Sequence, residues 1–251
     1  VDFTSLIPRK DEILKKLWEA YHVDSISGQW DYIEPVLFGY AAGAVIASYV
    51  ENFCTATDKI AAHFHEWMTA AGGLYLRRHA PYVATLFTTH ATVMGRCIAG
   101  NHLPLYTDLT KFNADELARQ FNVVAKHSIE KAAAAYHDAF VTVSDITANE
   151  CKFLLGREPD CITPNGFEND FVWTGEEYDA KRAEARKTMI SVAEARLGEK
   201  FAEEPLIVGT SGRYEFRNKG IDVFIESLKK LAASPRLKRQ VLAYITVPAA
   251  N

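Results

Sequence analysis

Residues 82–100 read YVATLFTTHATVMGRCIAG, and the fold class turns on them. The apolar run 83–87 has the length and character of a buried strand. Two threonines, His90 and small residues follow. ATVMGRCIAG then has the spacing of a helix that closes at Gly100. A strand handing over at once to a helix is half of a βαβ unit. His90 and Arg96 stand in that handover, where open parallel sheets bind ligands.

Outward from this unit the same alternation continues. Upstream, 9–21 is an amphipathic helix, 22–31 a polar and aromatic loop, 32–53 a long apolar helix, 59–65 (KIAAHFH) a strand and 66–80 a helix. Downstream, 101–111 reads as loop. Residues 113–136 are largely helical with a break near Asn122, and AFVTV (139–143) is a strand. SDITANECKFLL (144–155) is a helix capped by Ser144 or Asp145, and CITP (161–164) a short strand stopped by Pro164. After the PNG turn the texture changes: 167–174 is irregular, 176–200 a charged helix, 206–211 (LIVGTS) a strand, 221–233 a helix and 240–247 a strand. Strands separated by helix-length segments predict an α/β fold with Rossmann-like parallel sheets. The expected domains are 1–165 and 166–251.

Composition narrows the class. With 251 residues, 48% hydrophobic and 24% charged, the chain has ordinary soluble globular content. A net charge of −4 without a polybasic block argues against nucleic-acid binding. The apolar stretch 36–50 is interrupted by Gly39, Gly43 and Ser48 and is short for a membrane span, so a buried helix and no membrane association are expected. Cys54, Cys97, Cys151 and Cys161 show no C-x-x-C or zinc-like spacing, which fits reduced thiols in a cytoplasmic protein. The sequence does not open on Met, and its last residues read as a strand with no following helix; an internal fragment is the expectation.

Four polar clusters fall at strand ends: HFHEW (63–67), TTHATVMGR (88–96), TPNG (163–166) and SGRYEFRNKG (211–220). Their co-location predicts one cleft. The last carries Arg213, Arg217 and Lys219 before a helix N-terminus, a pattern suited to a diphosphate; the competing reading is a solvated loop with a local pair between an arginine and Glu215. His90 by itself reads equally as a polar strand-end residue. His63 and His65 share a face of their strand, but nothing in the spacing brings them to His90 as metal ligands, and no metal or cofactor is expected. No nucleophile elbow is present, and Gly72–Gly73 lies inside a helix rather than in a dinucleotide fingerprint. Trp67 and Phe64 read as core, Glu66 as a favourable first-turn acid and TPNG as turn chemistry.

Taken in order, these clusters resemble the eukaryotic-type glycogen synthases, retaining glycosyltransferases of the GT-B fold. The likeness is carried by PVLFGY, HFHEW, LFTTHATVMGR, LYTDLTKFN, EKAAAAYHDAFVTVSDITANE, FLLGREPDCITPNG, GRYEFRNKG with DVFIESL, and VLAYITVPA. The resemblance implies the latter part of an N-terminal, acceptor-side Rossmann-like domain over 1–165 and the beginning of a nucleotide-sugar-binding domain from 166, incomplete at both ends. It implies glucosyl transfer from UDP-glucose to the 4-hydroxyl of an α-1,4-glucan. His90 would lie beneath the transferring glucose with its backbone carbonyl toward the anomeric carbon, and Arg96 would belong to the same UDP-glucose site. Arg213 and Lys219 would grip the diphosphate, and Asn165 would lie near the sugar. Glu66 and Trp67 are implied only as wall residues. A homo-oligomer stays open.

The sequence also departs from that pattern. It contains neither a GGIYTV-type glycine-rich segment nor an acidic segment around EPWGYTPAE. The helix after TPNG, reading WTGEEYDAKRAEAR, lacks the histidines that bind glucose 6-phosphate in eukaryotic members, so no such control is expected and a bacterial relative is. The chain alone is expected to be inactive. Two rival classes stand beside this one: another retaining nucleotide-sugar transferase, and a non-catalytic glucan-binding or interaction piece.

Overall fold

Helices and strands alternate along the computed structural model, which describes residues 1–248; the last residue of the VLAYITVPA stretch lies outside them. In chain order the elements are α1 (Lys10–Tyr21), α2 (Trp30–Phe53), β1 (Ala61–His65), α3 (Glu66–His79), β2 (Ala84–Thr89), α4 (Val93–Gly100), α5 (Leu105–Asp108), α6 (Ala114–Gln120), α7 (Val124–Tyr136), β3 (Ala139–Thr142), α8 (Asp145–Glu150), β4 (Cys161–Ile162), α9 (Gly175–Leu197), β5 (Leu206–Ser211), α10 (Ile221–Ala232) and β6 (Val241–Thr246). They form two compact units, Val1–Gly166 and the residues from Phe167 onward.

The first unit is built on a parallel sheet of order β1-β2-β3-β4. Register pairs His65 with Thr88, Thr89 with Thr142 and Thr142 with Ile162, so the strands finish near one edge. β1 alternates: Ala62 and Phe64 point into the core while His63 and His65 face outward. β2 and β3 are central, and Phe87 and Phe140 are fully buried with their rings 5.8 Å apart. Burying such side chains contributes roughly 2–3 kcal/mol each, enough to hold the strand ends in register.

The helices cover the sheet for local reasons. Thr92 caps α4 by accepting from the Gly95 N–H at 2.9 Å, and Ser144 caps α8 by accepting from the Thr147 N–H at 3.2 Å. Asn122, at φ 55°, separates α6 from α7. α2 meets α3 through glycine: a Cβ on Gly43 would lie 2.5 Å from the Gly72 carbonyl oxygen. Only the glycine face of α2 is therefore buried. Phe38, Val45, Tyr49 and Phe53 are exposed, so the expectation of a buried helix over 36–50 holds for one face alone. By length and composition α2 is long and apolar enough to cross a bilayer.

Two further differences stand out. The 101–111 segment is not loop throughout, because α5 and a 3₁₀ turn, Leu109–Lys111, fold there. Leu105 and Leu109 are buried in a satellite cluster with Met94, Ile98 and Leu154, which supplies the energy that four-residue helices lack on their own. The chain also forms a 3₁₀ segment, Thr4–Arg9, ahead of α1.

In the second unit β5 and β6 pair in parallel over their full lengths. The Tyr244 hydroxyl donates to the Met189 carbonyl at 2.5 Å, and Arg186 bonds Glu204, tying α9 to the strands. Burial is sparse: Ala193 of α9 and Ile221 of α10 are the buried residues of these two helices.

Candidate active site

Three of the four polar clusters lie at the carboxyl edge of the four-stranded sheet. β1 ends in His65 and passes to Glu66, β2 ends in Thr89 before His90, and β4 leads through Thr163 to Asn165. The Thr163 N–H donates to the Thr142 carbonyl at 2.8 Å, carrying the pairing one residue past β4.

His90 sits in a loop whose neighbours are buried although they are polar. Thr88, Thr89 and Thr92 are all inaccessible to solvent or nearly so. Burying hydroxyls is costly unless each finds a partner, and each does. The Thr88 hydroxyl bonds His63 Nε2 at 2.7 Å. The Thr89 hydroxyl meets Glu130 Oε1 at 3.0 Å, and the Thr89 carbonyl accepts from the Thr142 hydroxyl at 2.8 Å. The Thr92 hydroxyl donates to Glu150 Oε2 at 2.8 Å, and the Val93 N–H donates to Glu130 Oε2 at 2.9 Å. Finally, the His90 N–H donates to Glu66 Oε1 at 3.1 Å. The loop is thus anchored on both sides of His90 and at His90 itself.

Glu66 holds that contact at a backbone cost. It is the first residue of α3 and adopts φ 64°, a left-handed conformation unfavourable for a residue with a Cβ. Gly95 leaves room for this network: a Cβ there would lie 2.2 Å from Glu150 Oε2 and 2.7 Å from Thr92 Oγ1, so those side chains would have to shift.

The imidazoles of His63, His65 and His90 form a row across the two strand ends. The His63 and His65 rings are 4.1 Å apart, and His65 Nδ1 lies 3.1 Å from His90 Nε2. That contact takes one proton, so one ring donates and the other accepts. Burial, then the neighbouring His65 and His90, hold the His63 pKa below its ordinary value. Among the described residues no group of three or more His, Cys, Asp or Glu is arranged to hold a metal ion.

The remaining candidates of this unit stand apart from that network. Arg96 projects from the exposed side of α4, and Asn165 is exposed beyond β4. Trp67 is stacked on Tyr32 at 5.9 Å, and the Lys126 ammonium lies 5.5 Å from its ring centre, so its ring helps to seat α3 on α2.

Glu130 and Glu150 are the buried partners of the His90 loop that sequence reasoning passed over. Both are buried, Glu130 completely. Burial pushes the Glu130 carboxyl up to about 8, against the Val93 and Thr89 hydrogen bonds and with Glu66 and Glu150 adding to the rise. The signal available was Glu130's position among the small residues of α7, between His127 and Ala133–Ala134 on the buried side of that helix.

In the second unit the loop after β5 carries Arg213, Arg217 and Lys219, all exposed. Arg213 Nε lies 3.1 Å from Glu215 Oε1, the local pair anticipated by the competing reading. Gly220, at φ 66°, turns the chain into α10, and Ile221 is its first buried residue. The cations thus precede a twelve-residue helix whose first two N–H groups, of Ile221 and Asp222, donate to the Phe216 carbonyl of the loop at 3.0 and 3.3 Å.

A family model described as glycogen synthase matches residues 1–251. A glycogen [starch] synthase of Dictyostelium discoideum is 33% identical over 241 residues, covering 93% of this chain and 27% of its own length. The Neurospora crassa protein of the same name is 33% identical over 240 residues, covering 93% of this chain and 34% of its own length. Glycogen [starch] synthase isoform 2 of Saccharomyces cerevisiae is 31% identical over 258 aligned residues, with coverages of 100% and 36%. The chain spans about a third of the length of the curated relatives it matches.

Proposed function

The chain belongs to the glycogen synthase family, and on that basis we propose that it carries donor-handling residues of a retaining glucosyltransferase that moves glucose from UDP-glucose to the 4-hydroxyl of an α-1,4-glucan. The observation that carries this reading is the anchored His90 loop at the carboxyl edge of a parallel sheet, where every buried hydroxyl around the histidine is matched by a partner. Such a loop is suited to presenting backbone groups to a sugar without reorganising.

In the proposed reaction His90 lies under the glucose with its carbonyl toward the anomeric carbon, while Arg96 and Asn165 contact the donor nearby. Arg213 and Lys219 take the diphosphate. Negative charge grows on that group as the glycosidic bond breaks, so cations there act more strongly in the transition state than in the ground state. Arg213 exchanges its Glu215 partner for phosphate oxygens, a change its exposed position makes inexpensive. No metal is called for in this scheme, because the two cations meet the leaving charge.

The test is incorporation of label from UDP-[14C]glucose into an α-1,4-glucan by the full-length protein in excess chelator, with the anomeric outcome read by NMR. Transfer with retention is the expected result. No transfer, or transfer restored only by a divalent ion, would contradict the proposal. The 251-residue chain alone is expected to transfer little, since close positioning of donor and acceptor supplies much of the rate.

A further inference from the structure

Thr89 has one hydroxyl hydrogen and two neighbours that want it. Its Oγ1 lies 3.0 Å from Glu130 Oε1 and 3.3 Å from the Ala91 carbonyl oxygen. Glu130's other oxygen accepts from the Val93 N–H at 2.9 Å. We propose that Glu130 is a positioning residue for the His90 loop, acting through a hydrogen-bond relay from its carboxyl to the Thr89 hydroxyl to the carbonyl of Ala91. The functional weight of that loop rests on the reading of His90 given above.

The relay has two settings. When the carboxyl carries its proton on Oε1, it donates to Thr89, Thr89 donates to the Ala91 carbonyl, and Oε2 still accepts from Val93. Every buried group is then satisfied. When the carboxyl is ionised, the Thr89 hydrogen is drawn to Oε1, and the Ala91 carbonyl loses its donor. The Ala91–Thr92 peptide then loses that one contact, while the bonds from the His90 N–H to Glu66, from the Thr92 hydroxyl to Glu150 and from the Val93 N–H to Glu130 remain. The protonation state of a residue that touches no substrate thus sets how firmly the loop is held.

The surroundings favour the protonated setting at neutral pH. Glu130 has no accessible surface. The titratable groups that face it are Glu66 at the start of α3, Glu150 and Cys151 at the end of α8, and Cys97 on α4, none of them cationic. On its own helix the nearby lysines are engaged elsewhere, Lys126 with Asp31 and Lys131 with Asp115. Burial and the two acids together hold the carboxyl protonated up to about pH 8.

The test is NMR titration of the full chain between pH 6 and 9.5, following the Glu130 carboxyl carbon and the amides of Thr92 and Val93. Thr92 reports the Ala91 carbonyl because the two share a peptide group. In the wild-type chain the three signals are expected to move together, with one midpoint near pH 8. In Glu130→Gln the side-chain amide donates to Thr89 and its oxygen accepts from Val93, so the two amides are expected to stay at their low-pH positions throughout. A Glu130 carbon already in its ionised position at pH 6 would overturn the proposal, as would amides that titrate unchanged in the glutamine variant. Should that variant not fold, Thr89→Val keeps the acid and removes the relay: the Thr92 amide should stop following Glu130, and continued coupling would overturn the idea. Label transfer from UDP-glucose by the wild-type protein is a separate arm. Its absence would count against the proposed function and leave the relay to be decided by the resonances.

Discussion

The loop after β2 and the loop after β5 both carry polar residues from a strand into a helix, yet they are built oppositely. Around His90, Thr88, Thr89, Thr92, Glu130 and Glu150 are buried and mutually bonded. Around Arg213 and Lys219 nothing is buried until Ile221, and the sole ion pair of that loop among the described residues is Arg213–Glu215. The first loop takes its shape from folding. The second holds exposed cations with little packing to fix them. The difference teaches how work is divided under the proposed function: the loop assigned to the sugar is set by the fold, whereas the loop assigned to the diphosphate has still to be ordered before its charges can act.

The largest way to break this contrast is Arg213→Ala in the full-length protein. Donor turnover should fall about a hundredfold, about 3 kcal/mol of transition-state stabilisation, while the melting temperature stays put. A stability loss matching the activity loss would mean the second loop is a structural element like the first. Next comes Gly95→Ala, which drives a Cβ to 2.2 Å from Glu150 Oε2. Overpacking of this kind costs about 1–3 kcal/mol, visible as a lowered urea midpoint. Gly212→Ala, with nothing within 4 Å of the new Cβ, should change the midpoint little. Equal effects at the two glycines would erase the distinction between the loops.

A pH-dependent effect, at most about 1.4 kcal/mol per pH unit, sharpens the first half of the comparison. The folded Glu130 carboxyl is raised from 4.5 to about 8, so the unfolded chain releases a proton that the folded chain keeps. Stability is then fully present below about pH 4.5 and declines as pH rises toward about 8, by at most about 1.4 kcal/mol per unit from this one group. Glu130→Gln should flatten that part of the profile in urea titrations at successive pH values. A slope identical in both proteins would assign the pH dependence to other groups.

The strands and most helices were legible because each carries its own period and punctuation, from the apolar run before His90 to the capping Ser144. What escaped was set by tertiary packing rather than by local pattern. α5 exists because Leu105 and Leu109 reach Met94 and Ile98, and four residues carry no readable period. The exposed half of α2 was hidden by its composition, which is apolar all round although only the glycine face is packed. At the candidate site, the place of His90 just past a strand could be read, while the role given to it came from the family resemblance. Glu130 and Glu150 could not be read, since their partners Thr89 and Thr92 lie 41 and 58 residues away along the chain. Trp67, read as core from the sequence, packs its ring against Tyr32 and Lys126.

The division between a fold-built loop and a ligand-ordered loop is tested most directly by amide hydrogen exchange along the full-length protein, with and without saturating UDP. Residues 89–96 should exchange slowly in both states, because their hydrogen bonds belong to the fold. Residues 212–220 should exchange fast without UDP and slow markedly when it binds. Rapid exchange at 89–96 in the free protein, or a 212–220 segment indifferent to UDP, would contradict the account.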